Sequence, residues 1–347
     1  MSAPPARLVA LLRCVECPGR DPLEPATQDG RAVLRCPCGH VYPFAEGTAR
    51  VLRASLRDSM GRGASADAVE ESKRRTALSF GYEWGHFAEL RPEWEKNFLG
   101  YMAPHGHEFF RGKLVLDAGS GAGRHATYAA RDGADVVAVD LGSAIDVTRR
   151  NTADLANVLT VQADLYDLPF ADGTFDFAYS IGVLHHLPDP EAAFREVLRV
   201  VRPGGEVGIY VYWRHERGLR GTLLGLVTAA RRVTTRLPHP VLHLLSYPIA
   251  AVATALFVWP ARLLGRIPRL REVAGRLPLA GYVSYPFIVC VNDQFDRFSA
   301  PLERRYTEAE VRAWLGREGL EDVHVLPNYG WVAGGRKPGG GGAETRP

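Results

Sequence analysis

Between residues 113 and 212 the chain alternates apolar runs with amphipathic stretches at short intervals. Lys113 to Asp140 sets the pattern. A short apolar run ends in Asp117, a loop carries Gly119, Gly121 and Gly123, a helical stretch follows, and a second apolar run ends in Asp140. The rhythm continues with a helix over 143–155, a strand over 158–162, a fourth strand within LPFADGTFDFAYSIGVLHHLPDP and an amphipathic helix over 190–200. Arg202-Pro203-Gly204-Gly205 reads as a tight turn into a strand over 206–212. Alternating strands and helices with short connections predict a parallel, doubly wound sheet. Near the C-terminal end, Thr307 and Glu310 form a capping box that opens a helix stopping at Gly319. Residues 323–326 and 331–333 pattern as an antiparallel hairpin, and the glycine-rich residues 335–347 read as a disordered tail.

The opening unit carries candidate chemistry. Small residues let the backbone approach a ligand, and the helix amino terminus favours an anionic group. An acid at the end of the second strand, Asp140, can accept hydrogen bonds from ribose hydroxyls. Gly121-Ala-Gly123-Arg-His-Ala126 also fits the G-x-G-x-x-A dinucleotide fingerprint, so the glycines alone leave the ligand open. Asp117, just before the turn, suits a ligand with a cationic amino group better than a pyrophosphate.

This stretch resembles motif I of the class I S-adenosylmethionine (SAM) methyltransferases, with Ser120 where many members carry Cys. With Asp140, Asp164, FDFAYSIGVLHHL and RPGG in order, residues 80–212 resemble the type 11 group of these enzymes, which includes quinone-biosynthesis enzymes. The resemblance implies a Rossmann-like, mostly parallel seven-stranded sheet. It also implies SAM contacts from Asp117, Gly119, Gly121, Gly123, Asp140, Asp164, Leu165 and Ser180. Ser79 to Trp84, in such enzymes, precedes the first strand and folds over the SAM pocket, which makes Tyr82 and Trp84 candidate walls; both equally suit an aromatic core. His185 and His186 follow the fourth strand and are candidate general bases, although His186 could instead brace its loop through the backbone. Tyr212, His215 and Asp293 flank an insertion and are positioned to line an acceptor site.

The cysteines are unevenly spread: four of five lie before residue 40, and the fifth is Cys290. That is no disulfide framework for 347 residues; it suits a local metal site in a reducing, cytoplasmic compartment. Cys14 and Cys17 form one knuckle, and Cys36, Cys38 and His40 the other. The expected zinc ligands are Cys14, Cys17, Cys36 and either Cys38 or His40. CPCGHVYPFAEGTARVL resembles the end of Trm112-like zinc domains, and Cys36-x-x-x-His40 resembles the zinc module of a ribosomal RNA guanine methyltransferase. In either case the metal would staple a module too small to bury a core.

Residues 213–292 change the picture again. They carry eleven arginines, no lysine, and only Glu216 and Glu272 as acids, about +9 locally in a chain of net charge +3. Inside them, 241–259 is free of formal charge. Two readings stand: an apolar lid with arginines facing solvent, or a membrane-surface element that delivers a lipophilic substrate and leaves the protein peripheral to the membrane. RNA is a third use for the charge, but it does not call for so long an apolar run. The expected divisions are a zinc ribbon (8–52), a linker entering a helix (53–78), a SAM-binding core (79–212), the insertion (213–292), the rest of the core (293–334) and the tail. The expected function is methyl transfer to a small, lipophilic or biosynthetic-intermediate acceptor. RNA base methylation and a non-catalytic SAM-binding scaffold are the rivals.

Overall fold

The computed structural model describes residues 5–62, 67–214 and 218–339. His215 and Glu216, and the tail from residue 340, lie outside the described residues. The chain forms two compact units, 1–213 with 302–347, and 214–301.

The first unit is built on one sheet. After a short helix α1 (Ala6–Val9) come strands β1 (Glu24–Gln28), β2 (Arg31–Arg35), β3 (Val41–Ala45) and β4 (Thr48–Arg50). Helices α2 (Ala54–Arg62), α3 (Ala68–His86) and α4 (Glu93–Met102) follow. The alternating region then gives β5 (Leu114–Ala118), α5 (Arg124–Arg131), β6 (Asp135–Asp140), α6 (Ala144–Asn151), β7 (Val158–Gln162), β8 (Phe175–Ile181), α7 (Pro190–Val200) and β9 (Val201–Val211).

The second unit holds α8 (Gly218–Thr234), α9 (His239–Ala253), α10 (Trp259–Gly265), α11 (Arg271–Arg276) and α12 (Phe287–Ser299). A π-helical turn over Thr254–Val258 joins α9 to α10. The first unit closes with α13 (Glu308–Arg317), β10 (Glu321–Pro327) and β11 (Trp331–Arg336).

Among the described residues the sheet has eleven strands in the order β1-β2-β3-β4-β7-β6-β5-β8-β9-β11-β10. This corrects the expected seven: the cysteine-bearing segment does not stand apart but adds four strands to one edge, with β4 parallel to β7. Two tight turns make that extension possible. Asp29-Gly30 and Glu46-Gly47 join their hairpins with both residues at positive φ, the two-residue geometry whose twist matches flanking strands. β5 to β9 are mutually parallel, and the β10–β11 hairpin pairs antiparallel to β9. Val115, Leu116 and Val136 to Val139 are all buried, as expected for strands covered on both faces.

The chain runs from β5 outward to β7, then crosses back to β8 on the other side of β5. Strand order therefore reverses between β5 and β8, and a crevice opens at their carboxyl ends.

Several boundaries move. The expected linker is mostly helix: Asp67 caps α3 by accepting the N–H groups of Val69 and Glu70. Arg202 to Gly205 lie inside β9, where a register shift absorbs the turn residues. Residues 292–299, expected as polar loop, belong to α12, which places the end of the second unit at residue 301. The Thr307–Glu310 capping box and the β10–β11 hairpin form as expected, but β11 runs on to Arg336, so Gly335 and Arg336, expected in the disordered tail, pair with β9 instead.

Candidate active site

The carboxyl ends of β5, β6 and β8 line one cavity with α3 across from them. Its floor is the glycine turn. Gly119 and Gly121 hold φ of +94° and +54°, the left-handed region that L side chains rarely adopt. A Cβ at Gly121 would sit 2.8 Å from Trp84 Nε1, so the turn and α3 approach as closely as they do only because no side chain stands there. Trp84 also stacks beneath Arg124, whose guanidinium lies 4.5 Å from the ring centroid.

Asp140 ends β6 and faces this cavity. Its carboxylate accepts N–H groups from Gly121 and Gly142, each at 3.0 Å. One lone pair on each oxygen remains for a ligand. Burial pushes its carboxyl up to about 6, against the downward pull of the Gly142, Gly121 and Leu141 N–H groups.

The other predicted residues divide. Gly119, Gly121, Trp84, Asp140, Asp164, Leu165 and His186 line the cavity. Asp117, Gly123, Ser180, Tyr82 and His185 do not. Asp117 is buried beside Tyr179, and Ser180 donates to the Ala118 carbonyl at 2.8 Å, so both brace the floor from below. Gly123 is the N-cap of α5, and Tyr82 stacks on His86 with centroids 4.0 Å apart, on a part of α3 outside the cavity lining. Asp164 is already engaged: it takes Lys73 Nζ at 2.8 Å and the Tyr166 N–H at 3.0 Å.

The two histidines part company. His185 is fully buried and packs on Tyr212, with centroids 4.1 Å apart. His186 reaches the cavity, and its Nδ1–H donates to the Leu302 carbonyl at 2.7 Å. A carbonyl can only accept, so the neutral ring keeps its lone pair on Nε2. Tyr212 is absent from the cavity lining, and Asp293 sits on α12, accepting the Tyr282 hydroxyl.

Lys73, Thr76, Ala77, Phe80, Tyr166 and His125 line the cavity and were not anticipated. Burial lowers His125 to about 3, so its ring is neutral across the physiological range. The signal for α3 was present in the Asp67 cap, but its polar run EESKRR reads as linker until Lys73 is seen to pair with Asp164.

Burial pushes Asp117 up to about 7, with Asp140 adding to the rise and Tyr179 and the Ala126 N–H opposing it. A carboxyl raised on folding binds its proton more tightly in the native state, so its stabilising share is present below about pH 4 and lost as pH rises through about 7. The stability advantage of Asp117→Asn over the parent should therefore grow from about pH 4 to about pH 7 and then level. Urea titrations across that range would read it; a difference independent of pH would contradict the burial argument.

The cysteine module gathers its donors at the edge of the sheet. The ligand atoms of Cys14, Cys17, Cys38 and His40 all lie within 4.8 Å of one another. Cys36 Sγ is 3.4 Å from Cys17 Sγ and 2.8 Å from Cys38 Sγ. Cys17 and Cys38 are joined in a disulfide, so the expected ligand set of Cys14, Cys17, Cys36 and either Cys38 or His40 requires that bond to be reduced. That bond and a metal ion exclude one another at these two sulfurs.

Part of the chain is also similar to known proteins. Residues 116–209 match the family described as methyltransferase domain. That match runs from within β5 through most of β9, about a quarter of the chain.

Among particular relatives, an uncharacterized methyltransferase of Mycobacterium bovis is 33% identical over 147 residues, covering 42% of this chain and 57% of the relative. Sterol methyltransferase-like 3 of Botryococcus braunii is 35% identical over 136 residues, 37% of this chain and 32% of that protein. The chain thus spans little more than half of the first relative's length and about a third of the second's. A solved Burkholderia thailandensis 1,6-didemethyltoxoflavin-N1-methyltransferase is similar at 18% identity and a TM-score of 0.46, covering 91% of this chain and 99% of that one.

Proposed function

We propose that the protein transfers a methyl group from SAM to a small, predominantly apolar acceptor by in-line displacement. The observation that carries this reading is Asp140. It ends β6, faces the cavity, is fixed by two backbone donors, and sits beside a glycine turn that a side chain would obstruct. When bound, SAM supplies a methyl group already activated on a sulfonium, so the protein's task is alignment and water exclusion.

The residues present suit that cofactor. Asp140 accepts ribose hydroxyls on its remaining lone pairs. Leu141 and Leu165 offer apolar surface to a flat base. Asp164, already held by Lys73, can accept from an exocyclic amine only by sharing its oxygens. The open turn before α5 accommodates the amino-acid end. Phe80, Tyr166, Val183 and Leu187 make the remaining wall mostly apolar, which favours a lipophilic acceptor. His186 Nε2 can take a proton from a hydroxyl acceptor; an amine or activated carbon would not require it. The clustered Cys14, Cys17, Cys36, Cys38 and His40 suit a structural zinc ion once Cys17 and Cys38 are reduced.

Incubation with methyl-labelled SAM, the organism's lipid extract and its total RNA tests the proposal. Label should enter the organic-soluble fraction. Label in RNA would overturn the acceptor class, and SAM binding with no label in either fraction would favour a scaffold.

A further inference from the structure

The second unit leaves an apolar helix face open, and the sequence around it says what covers it. Helix runs without a break from His239 to Gly265, 27 residues, about 40 Å at the α-helical rise. Its inward stripe is narrow: Leu242, Ser246, Ala250, Val258 and Ala261 are buried. The outward stripe is apolar throughout, through Val241, Leu244, Val252, Leu256, Trp259 and Leu263 at helical spacing. Leu244 is 72% exposed and Leu256 62%. This inverts the ordinary surface helix, whose solvent face is polar. So long a run of exposed large apolar side chains marks an interaction site.

Charge identifies the occupant. No charged residue occurs between Arg236 and Arg262. Arg232 and Arg236 stand before the helix, and Arg266 and Arg269 after it, all exposed and none in an ion pair among the described residues. Arginines at both ends of an apolar face complement an anionic bilayer surface, with an exposed Trp suited to the headgroup level.

The packing also decides between lying on and crossing the bilayer. α9 runs antiparallel to α12: the rings of His243 and Phe295 are 6.0 Å apart, and Thr254 Oγ1 lies 3.8 Å from Cys290 Sγ. α12 carries Asp293, Asp296 and Arg297, which bar the pair from hydrocarbon. Only the outer face is available.

We propose that residues 239–265 form a monotopic membrane-docking helix, seated in the interface of anionic bilayers by its outward leucines and Trp259 and held there by the flanking arginines. The inference is independent of the methyl-transfer reading, because vesicle binding is measured without SAM.

The full chain should co-float with phosphatidylcholine vesicles containing about a third phosphatidylglycerol, bind pure phosphatidylcholine far less, and release partly at high salt. The triple variant Leu244→Gln, Leu256→Gln, Leu263→Gln alters exposed positions and should keep the parent's circular dichroism while its vesicle partition falls at least about tenfold. Arg232→Gln with Arg236→Gln and Arg266→Gln should weaken anionic binding and leave the binding to neutral vesicles unchanged. Absence of flotation would overturn the proposal, as would flotation untouched by the leucine changes. A dimer in solution that the leucine variant converts to monomer would also overturn it, by making a second copy the occupant.

Discussion

Asp140→Ala should weaken SAM binding by at least about a hundredfold, since charge-assisted hydrogen bonds are each worth about 1.5–3 kcal/mol and the ribose would lose two. Part of the loss is indirect. The Gly121 and Gly142 N–H groups now held by the carboxylate would lose their acceptor, and the turn would relax. Asp140→Asn keeps one acceptor oxygen and should fall between the two. The same residue predicts a pH profile. Ribose hydroxyls donate to the ionised carboxylate, whose carboxyl is pushed up to about 6 by burial. Affinity should therefore hold above about pH 6 and decline as pH falls through it. Calorimetric titration of the variants reads both effects, and an unchanged dissociation constant for Asp140→Ala would refute the ribose role.

Under reducing conditions the chain should retain about one zinc ion, and a Cys14→Ser, Cys17→Ser double variant should lose it. Structural zinc contributes directly to folding, and apparent binding free energies in small zinc peptides run to about 10–16 kcal/mol. The dependence here should be milder, because β4 is tied to β7 and Leu12, Leu34 and Tyr42 belong to the same core as the central strands. A loss of about 3–5 kcal/mol, some 5 °C in melting temperature, is the expected scale. Metal analysis with thermal melts, both under reductant, checks it. A reduced chain that binds no metal and melts as the variant does would reject the zinc reading.

What could be read from residues alone follows the range of the physics involved. The β5–α5–β6 unit was legible because its signals are local: apolar runs, glycines at positive φ, and acids at strand ends. The capping box at Thr307 was legible for the same reason. Contacts across long separations were not. Lys73 sits in a polar run that resembles linker, and its pairing with Asp164 appears only in the folded chain. The joining of β4 to β7 depends on a parallel register between Thr48 and Thr160, which no local pattern encodes. The histidine pair shows the same limit. Both histidines follow β8 and both are candidate bases in sequence, yet a short 3₁₀ turn sends His186 to the cavity, braced on the Leu302 carbonyl, and His185 into the core. The polar spacing of 292–299 suggested loop because the partner that completes the amphipathic face of α12, the apolar α9, lies some fifty residues earlier.

The most direct test of the central claim is a calorimetric titration of the intact chain with SAM, run beside a titration with NAD. Saturable binding of SAM at one site per chain and no binding of NAD are expected. A chain that takes up no SAM, or that takes NAD in its place, would contradict that claim.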